Sequence, residues 1–250
     1  MTRSAARSSC AEHPSARLAL LIAALLALTL AAAMPARGAD QAEGALPPNT
    51  VRIGLYALFY HVGAHDISGP YVPAGVNLDV NDVQTLYLAY VRRLWTNLDA
   101  ELAFGWPPLT KTVGRGPAAL GSVPYNGQVI STARWFAPTL LFNYLFFDDS
   151  HALRPYVGIG VNYTRFYDRD STAAGNAVTG GPTRLSLTAS VGPAADVGIS
   201  YRWASRWSAY LSYSFSDVNS DRTADTAGVI RRSNIDFRPT ALVAAVGYSF

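Results

Sequence analysis

The sequence predicts an all-β fold: an eight-stranded antiparallel up-and-down transmembrane β-barrel. Three observations carry the prediction. The first is a period of two without charge. In WSAYLSYSFSD (207–217), Trp207, Ala209, Leu211, Tyr213 and Phe215 alternate with Ser208, Tyr210, Ser212, Ser214 and Ser216. Successive strand side chains point to opposite faces. A soluble sheet buries its apolar face, whereas a membrane barrel turns it to lipid and encloses the small polar face. The second is composition: only 15% of residues are charged, against about 25% in soluble domains. The third is the spacing of connections. Short ones fall around Thr96–Asn97, Asp148–Leu153 and Ala204–Arg206; long ones cover about 63–82, 107–128, 169–183 and 219–232. Long and short alternate, so every long loop lies at one barrel end. Outer-membrane barrels show this asymmetry, with short periplasmic turns and longer outer loops. Both termini then lie on the periplasmic side.

Residues 1–39 stand apart from the fold. Arg3, Arg7 and Arg17 precede the apolar run Leu18–Ala33, and MPARGA follows. Positive, apolar, then small is the order of a secretory signal peptide. The run is shorter than the roughly 20 residues a spanning helix needs, which disfavours a retained anchor. Ala33, Ala36 and Ala39 are alternative cleavage points. The whole net charge of +3 belongs to this leader; the remainder, residues 40–250, is formally neutral. The basic pI therefore does not point to nucleic acid. The one cysteine, Cys10, also lies in the leader. Disulfides and cysteine-ligated metals are excluded from the remainder.

Eight strands follow the Pro-containing lead-in QAEGALPPNT: about 51–62, 83–95, 98–106, 129–147, 154–168, 184–202, 207–218 and 233–250. In the fifth, Val157, Ile159, Val161 and Tyr163 oppose Gly158, Gly160, Asn162 and Thr164. In the sixth, Leu185, Leu187, Val191, Val197, Ile199 and Tyr201 share one face; Ser186, Thr188, Ser190, Asp196 and Ser200 share the other. The eighth ends with Leu242, Ala244, Val246, Tyr248 and Phe250 on one side. Pro193 and Pro239 predict local irregularity, since proline cannot donate to a ladder. Trp95, Trp203 and Trp207 flank short turns, and Trp106 opens a long loop. Amphipathic aromatics favour the headgroup level.

Several stretches resemble the OmpW family of small outer-membrane barrels: RPYVGIGVNYTRFYD (154–168), APTLLFNYLFFDD (137–149), NDVQTLYLAYVRRLWTNLDAELAF (81–104) and RPTALVAAVGYSF (238–250). The resemblance implies a bacterial outer-membrane location and a narrow, largely apolar lumen passing small hydrophobic compounds. The terminal aromatic, Phe250, resembles the signal read by barrel-assembly machinery.

The residues support that lumen only in part. Leu86, Leu88 and Tyr90 oppose Tyr87, Ala89 and Val91, so both faces of the second strand are apolar. Leu86, Leu88 and Tyr90 are assigned as channel-lining, with Leu141 and Leu145 from the fourth strand and Asp99 and Glu101 from the third. Small polar residues of the sixth and seventh strands complete the lumen. Asp99 and Glu101 share a strand face; Arg134, Arg165 and Arg202 are their candidate partners, in a structural or selectivity role. His61 and His65, with Asp66, have a helical metal spacing. They fall instead at a strand end and loop, where that spacing does not converge, and no metal is assigned. Asp148–Asp149 reads as a solvated turn. GIG (158–160) lacks the rest of a phosphate loop, and no nucleophile–base pair stands out, so neither enzyme nor cofactor is expected. The reading is a narrow channel for small hydrophobic solutes. Its rivals are a non-conducting structural or adhesion barrel acting through the long outer loops, and a soluble ligand-binding barrel.

Overall fold

The computed structural model describes residues 46–250; the signal-peptide assignment, residues 1–39, lies outside them. Pairs of elements alternate along the chain. They are β1 (Asn49–Tyr60) and β2 (Gly63–Ala64), β3 (Asn77–Val80) and β4 (Val83–Trp95), β5 (Leu98–Gly105) and β6 (Leu109–Arg115). The hairpin β7 (Ala119–Leu120) and β8 (Val123–Pro124) follows, then β9 (Val129–Phe136), β10 (Thr139–Leu145) and the long β11 (Leu153–Ser171). Helix α1 (Ala173–Thr179) precedes β12 (Thr183–Leu187) and β13 (Ser190–Arg202). The chain ends with β14 (Trp207–Ser216), β15 (Asn219–Thr226), β16 (Val229–Asp236) and β17 (Pro239–Ser249).

Eight strands close the barrel in the order β1, β4, β5, β10, β11, β13, β14, β17, each antiparallel to the next. The seam joins the chain ends, from Thr50↔Ser249 to Tyr60↔Pro239. Closure leaves no sheet edge, as hydrocarbon requires. The outward faces are apolar through the middle of this tier; Ile159 is 73% exposed. Aromatics mark its ends. Trp203 stacks on Trp207 at 6.5 Å, and Trp207 meets the Tyr248 ring at 5.0 Å beside a short turn. Phe104 meets Phe136 edge-to-face at 5.9 Å near the opposite end.

Beyond this tier the staves continue outward, where the sequence predicts loops. β3, β6 and β9 pair in series onto the end of β11, and β12, β15, β16 and β2 pair in series on its other side. The segment 219–232 is therefore almost all sheet, 107–128 holds β6, β7 and β8, 63–82 holds β2 and β3 within longer irregular stretches, and 169–183 holds α1. β15 and β16 form a regular hairpin, Asn219↔Asp236 to Thr226↔Val229. Ala227 and Gly228 make its turn at φ 49° and 88°, the positive-φ pair that a tight hairpin uses.

The two tiers reverse their polarity. In the lower one, Ser190, Ser200, Ser208 and Ser212 point inward and Val191, Val197 and Tyr213 outward. In the upper one, Leu78, Ile130, Trp135 and Ile235 are buried, while Lys111, Arg115, Asp221 and Arg232 are exposed. Lipid outside calls for apolar residues outside; water outside calls for an apolar core. Phe166 and Phe237 stack at 5.3 Å within that core.

Breaks at one level separate the tiers: Trp106–Pro108, Ala137–Pro138, Thr188–Ala189 and Phe237–Arg238 interrupt the staves. The break at Thr188–Ala189 shifts the side-chain phase. Leu185 and Leu187 turn into the upper core, whereas Val191 and Val197 face lipid. The single face predicted for the sixth strand is thus split. The expected proline irregularities are present. The β13–β14 ladder stops at Ala194↔Ser216, next to Pro193. Arg238, at φ 36°, precedes Pro239.

Candidate functional site

The lower lumen is closed by a cluster centred on Glu101. Strand alternation aims Arg52 of β1, Tyr87 of β4, Glu101 of β5 and Asn143 of β10 inward at one height. Arg52 Nη1 donates to Glu101 Oε2 at 2.5 Å, Asn143 Nδ2 donates to the same oxygen at 2.7 Å, and the Tyr87 hydroxyl donates to Oε1. The Arg52 guanidinium also lies over the Tyr210 ring, 3.6 Å from its centroid. Arg52 and Glu101 are 3% and 2% exposed. A buried ion pair repays its desolvation only when further hydrogen bonds satisfy it, and Glu101 has them. Gly158 passes close beside the cluster. A Cβ there would collide with Asn143 Oδ1 and Asp196 Oδ1. The lumen next to it retains a cavity of about 30 Å³, bordered by Glu101, Asp196, Ser212 and Ser214. That is room for water alone.

A second polar cluster ties the short turns together. Arg154 binds Asp149 Oδ1 at 2.7 Å and the carbonyls of Thr96 and Phe147 at 2.9 and 2.7 Å. Arg93 takes the other Asp149 oxygen at 2.8 Å. At the same rim, Asp148 accepts from Ser150 and His151. The Ser150 and His151 hydrogen bonds hold its carboxyl down at about 2.

The upper tier encloses a larger space of about 240 Å³. Val76, Leu120, Tyr125, Ile130 and Val178 supply apolar walls, and Arg222 lies against it. Helix α1 brings Val178 there. It starts at Thr172, whose hydroxyl accepts from Gly175 N at 3.0 Å, and ends on Gly180 at φ 86°.

The OmpW family model matches residues 115–250, more than half of the chain. The chain belongs to the OmpW family. It is 31% identical to outer membrane protein W of Salmonella typhi over 172 residues, covering 69% of this chain and 76% of that protein. The fold is similar to that of OprG from Pseudomonas aeruginosa, with a TM-score of 0.73 at 20% identity, covering 83% and 98% of the two chains. It is also similar to AlkL in lipid bilayers, with a TM-score of 0.59 at 19% identity and coverage of 87% and 97%. This OmpW-family barrel is a bacterial outer-membrane protein.

Within it, the sequence-assigned residues separate. Asp99, Glu101, Leu141 and Leu145 are buried on the inner face. Leu86 and Tyr90, at 39% and 41% exposure, lie with Leu88 on the outer face, and Tyr87, Ala89 and Val91 point inward. Leu86, Leu88 and Tyr90, assigned to the lumen from the sequence, therefore stand on the outer face instead. Both faces of β4 are apolar, so its alternation carries no direction; neighbouring strands impose it. The arginine partner is also corrected. Glu101 takes Arg52, whereas Arg134 sits in the upper tier, 3.7 Å from Asp168, and Arg202 serves the rim by donating to the Asp149 carbonyl. Arg165 is exposed. His61 and His65 are both exposed between β1 and β3. Sequence reasoning missed Arg52, Asn143 and Arg222. The signal for Arg52 was present: it is a charge between the lipid-facing Val51 and Ile53.

Proposed function

We propose that this barrel passes small hydrophobic solutes across the outer membrane, taking them into the upper cavity and releasing them sideways through the wall. The observation that carries the reading is the stacking of an apolar chamber on a polar plug. A solute held by Val76, Ile130 and Val178 gains contact there, and it would lose that contact against Arg52 and Glu101. The wall supplies another exit. Pairing between the third and fourth staves stops at Ala103↔Thr139 and resumes at Leu109↔Arg134. Pro107, Pro108 and Pro138 lie in this interval and offer no N–H. Phe104 and Ala137 border the small cavity behind it. The family resemblance points to the same class of solute.

Uptake into lipopolysaccharide-containing vesicles holding the purified barrel tests the proposal. Octane should enter faster with protein than without, and glucose should not. Replacing Pro107, Pro108 and Pro138 by alanine restores donors to the wall and should slow octane entry several-fold. Equal octane rates with and without protein would remove the transport reading. We also infer that Phe250, exposed beside the β1–β17 seam, is read by barrel-assembly machinery. Phe250→Ala should lower the amount of assembled barrel in cells while leaving refolding in vitro intact.

A further inference from the structure

The upper cavity is apolar except on one side. Two guanidiniums, Arg222 and Arg231, border it, and no carboxylate does. Arg231 is engaged: Nε donates to the Pro70 carbonyl at 3.3 Å and Nη1 to Thr226 Oγ1 at 3.4 Å. Arg222 is 7% exposed, and its side chain has neither an acid nor a hydrogen-bond acceptor among the described residues. Directly across the β15–β16 ladder stands Ser233. It is 6% exposed, and its Oγ has no partner among the described residues either. Arg222 and Ser233 thus share one inner face on neighbouring strands, and neither side chain has a hydrogen-bond partner among the described residues. A buried guanidinium without a counter-charge is costly. Leu78 and Ile235, at inner positions of the same tier, show that apolar residues serve as its packing.

We propose that the cavity selects small anionic amphiphiles, with a carboxylate head on Arg222 and an apolar body against Val76, Ile130 and Val178. This deepens the proposed function and rests on it. The guanidinium presents a planar fork that matches a carboxylate. The size fits as well, since an apolar cavity of about 150 Å³ already takes benzene, and this one is about 240 Å³. Burial pushes Arg222 down to about 10, which still leaves it cationic at neutral pH. The hydroxyls of Thr179 and Thr183, which bond each other at 2.6 Å, border the same space as neutral acceptors and donors. They add no negative charge to oppose the head group.

The test uses the full refolded chain in dimyristoyl phosphatidylcholine nanodiscs, titrated calorimetrically with octanoate, octanol and acetate at neutral pH, with empty discs subtracted. A charge-assisted pair in a desolvated site should favour octanoate over octanol by about tenfold, and acetate alone should bind weakly. Arg222→Met should abolish the octanoate preference. Arg222→Lys should restore part of it, which a purely structural role for the arginine would not. Val178→Trp, which fills the cavity, should remove binding of both long-chain probes. Equal affinity for octanoate and octanol overturns this inference and leaves the hydrophobic-solute reading standing. Failure of both to bind overturns the two together. An octanoate preference that survives in Arg222→Met places the head group elsewhere and also rejects the proposal.

Discussion

Glu101, 2% exposed, accepts from Arg52, Tyr87 and Asn143 in the lumen. Truncating it leaves the Arg52 charge buried and unpaired. Glu101→Ala should therefore cost about 3–5 kcal/mol, measured by urea unfolding of the refolded barrel in vesicles. A loss under about 1 kcal/mol would mean a solvent-screened pair. Removing both charges, as Arg52→Met with Glu101→Leu, should recover most of the loss, because a packed apolar pair avoids desolvation. Gly158→Ala tests the narrowness of the same lumen. The added methyl meets Asn143 and Asp196, and overpacking should cost about 1–3 kcal/mol. In the upper tier the sign reverses. Arg222→Met removes an uncompensated buried charge and should stabilise the barrel by about 1–3 kcal/mol in the absence of ligand. The wild type should show the matching pH dependence. The folded state sheds the Arg222 proton near 10, before the unfolded chain does. Stability therefore rises with pH above that value, up to the ordinary arginine range. This rise should be missing from Arg222→Met.

At the scale of the strand, polarity follows the solvent outside. β14 turns Tyr213 and Phe215 outward, whereas its continuation β15 turns Asn219 and Asp221 outward. The same parity therefore carries opposite chemistry on the two sides of the break. Charge placed on the outer faces of the two tiers should show this. Ile159→Arg meets hydrocarbon and should cost about 2–4 kcal/mol in vesicle refolding, whereas Lys111→Arg, exposed on the outer face of the upper tier, should cost far less. Comparable losses would mean that Ile159 is not lipid-facing. All eight predicted staves are present, because alternation survives in a single strand's own residues. The direction of β4 and the split face of β13 were not readable that way. A strand with two apolar faces, or one with a phase shift at Thr188–Ala189, needs its neighbours to decide which side is inside.

At the scale of the whole molecule, the exposed apolar belt determines behaviour in solution. Val51, Ile53, Ile159, Val191 and Val197 all stand open on the outer wall, far beyond the apolar patch a soluble monomer carries. Residues 40–250 should remain monodisperse only with detergent or lipid, as sedimentation in the two conditions would reveal; a folded monomer in plain buffer would contradict the barrel orientation. The interior required the closed structure. Arg52 and Glu101 are 49 residues apart and meet because β1, β4 and β5 are successive staves. Arg222 faces a cavity assembled from α1, β9 and β15, none of them adjacent in sequence. The sequence by itself determined the strand number, the side that meets lipid on most staves, and the family, since each is written in local periodicity or contiguous motifs. Only the tertiary structure decided that strands from the supposed loops continue the wall, that Arg52, Tyr87 and Asn143 gather on Glu101 in the lumen, and that an apolar chamber bordered by Arg222 lies above it. Closure brings distant inner faces together, and local alternation carries no information about what stands across the lumen.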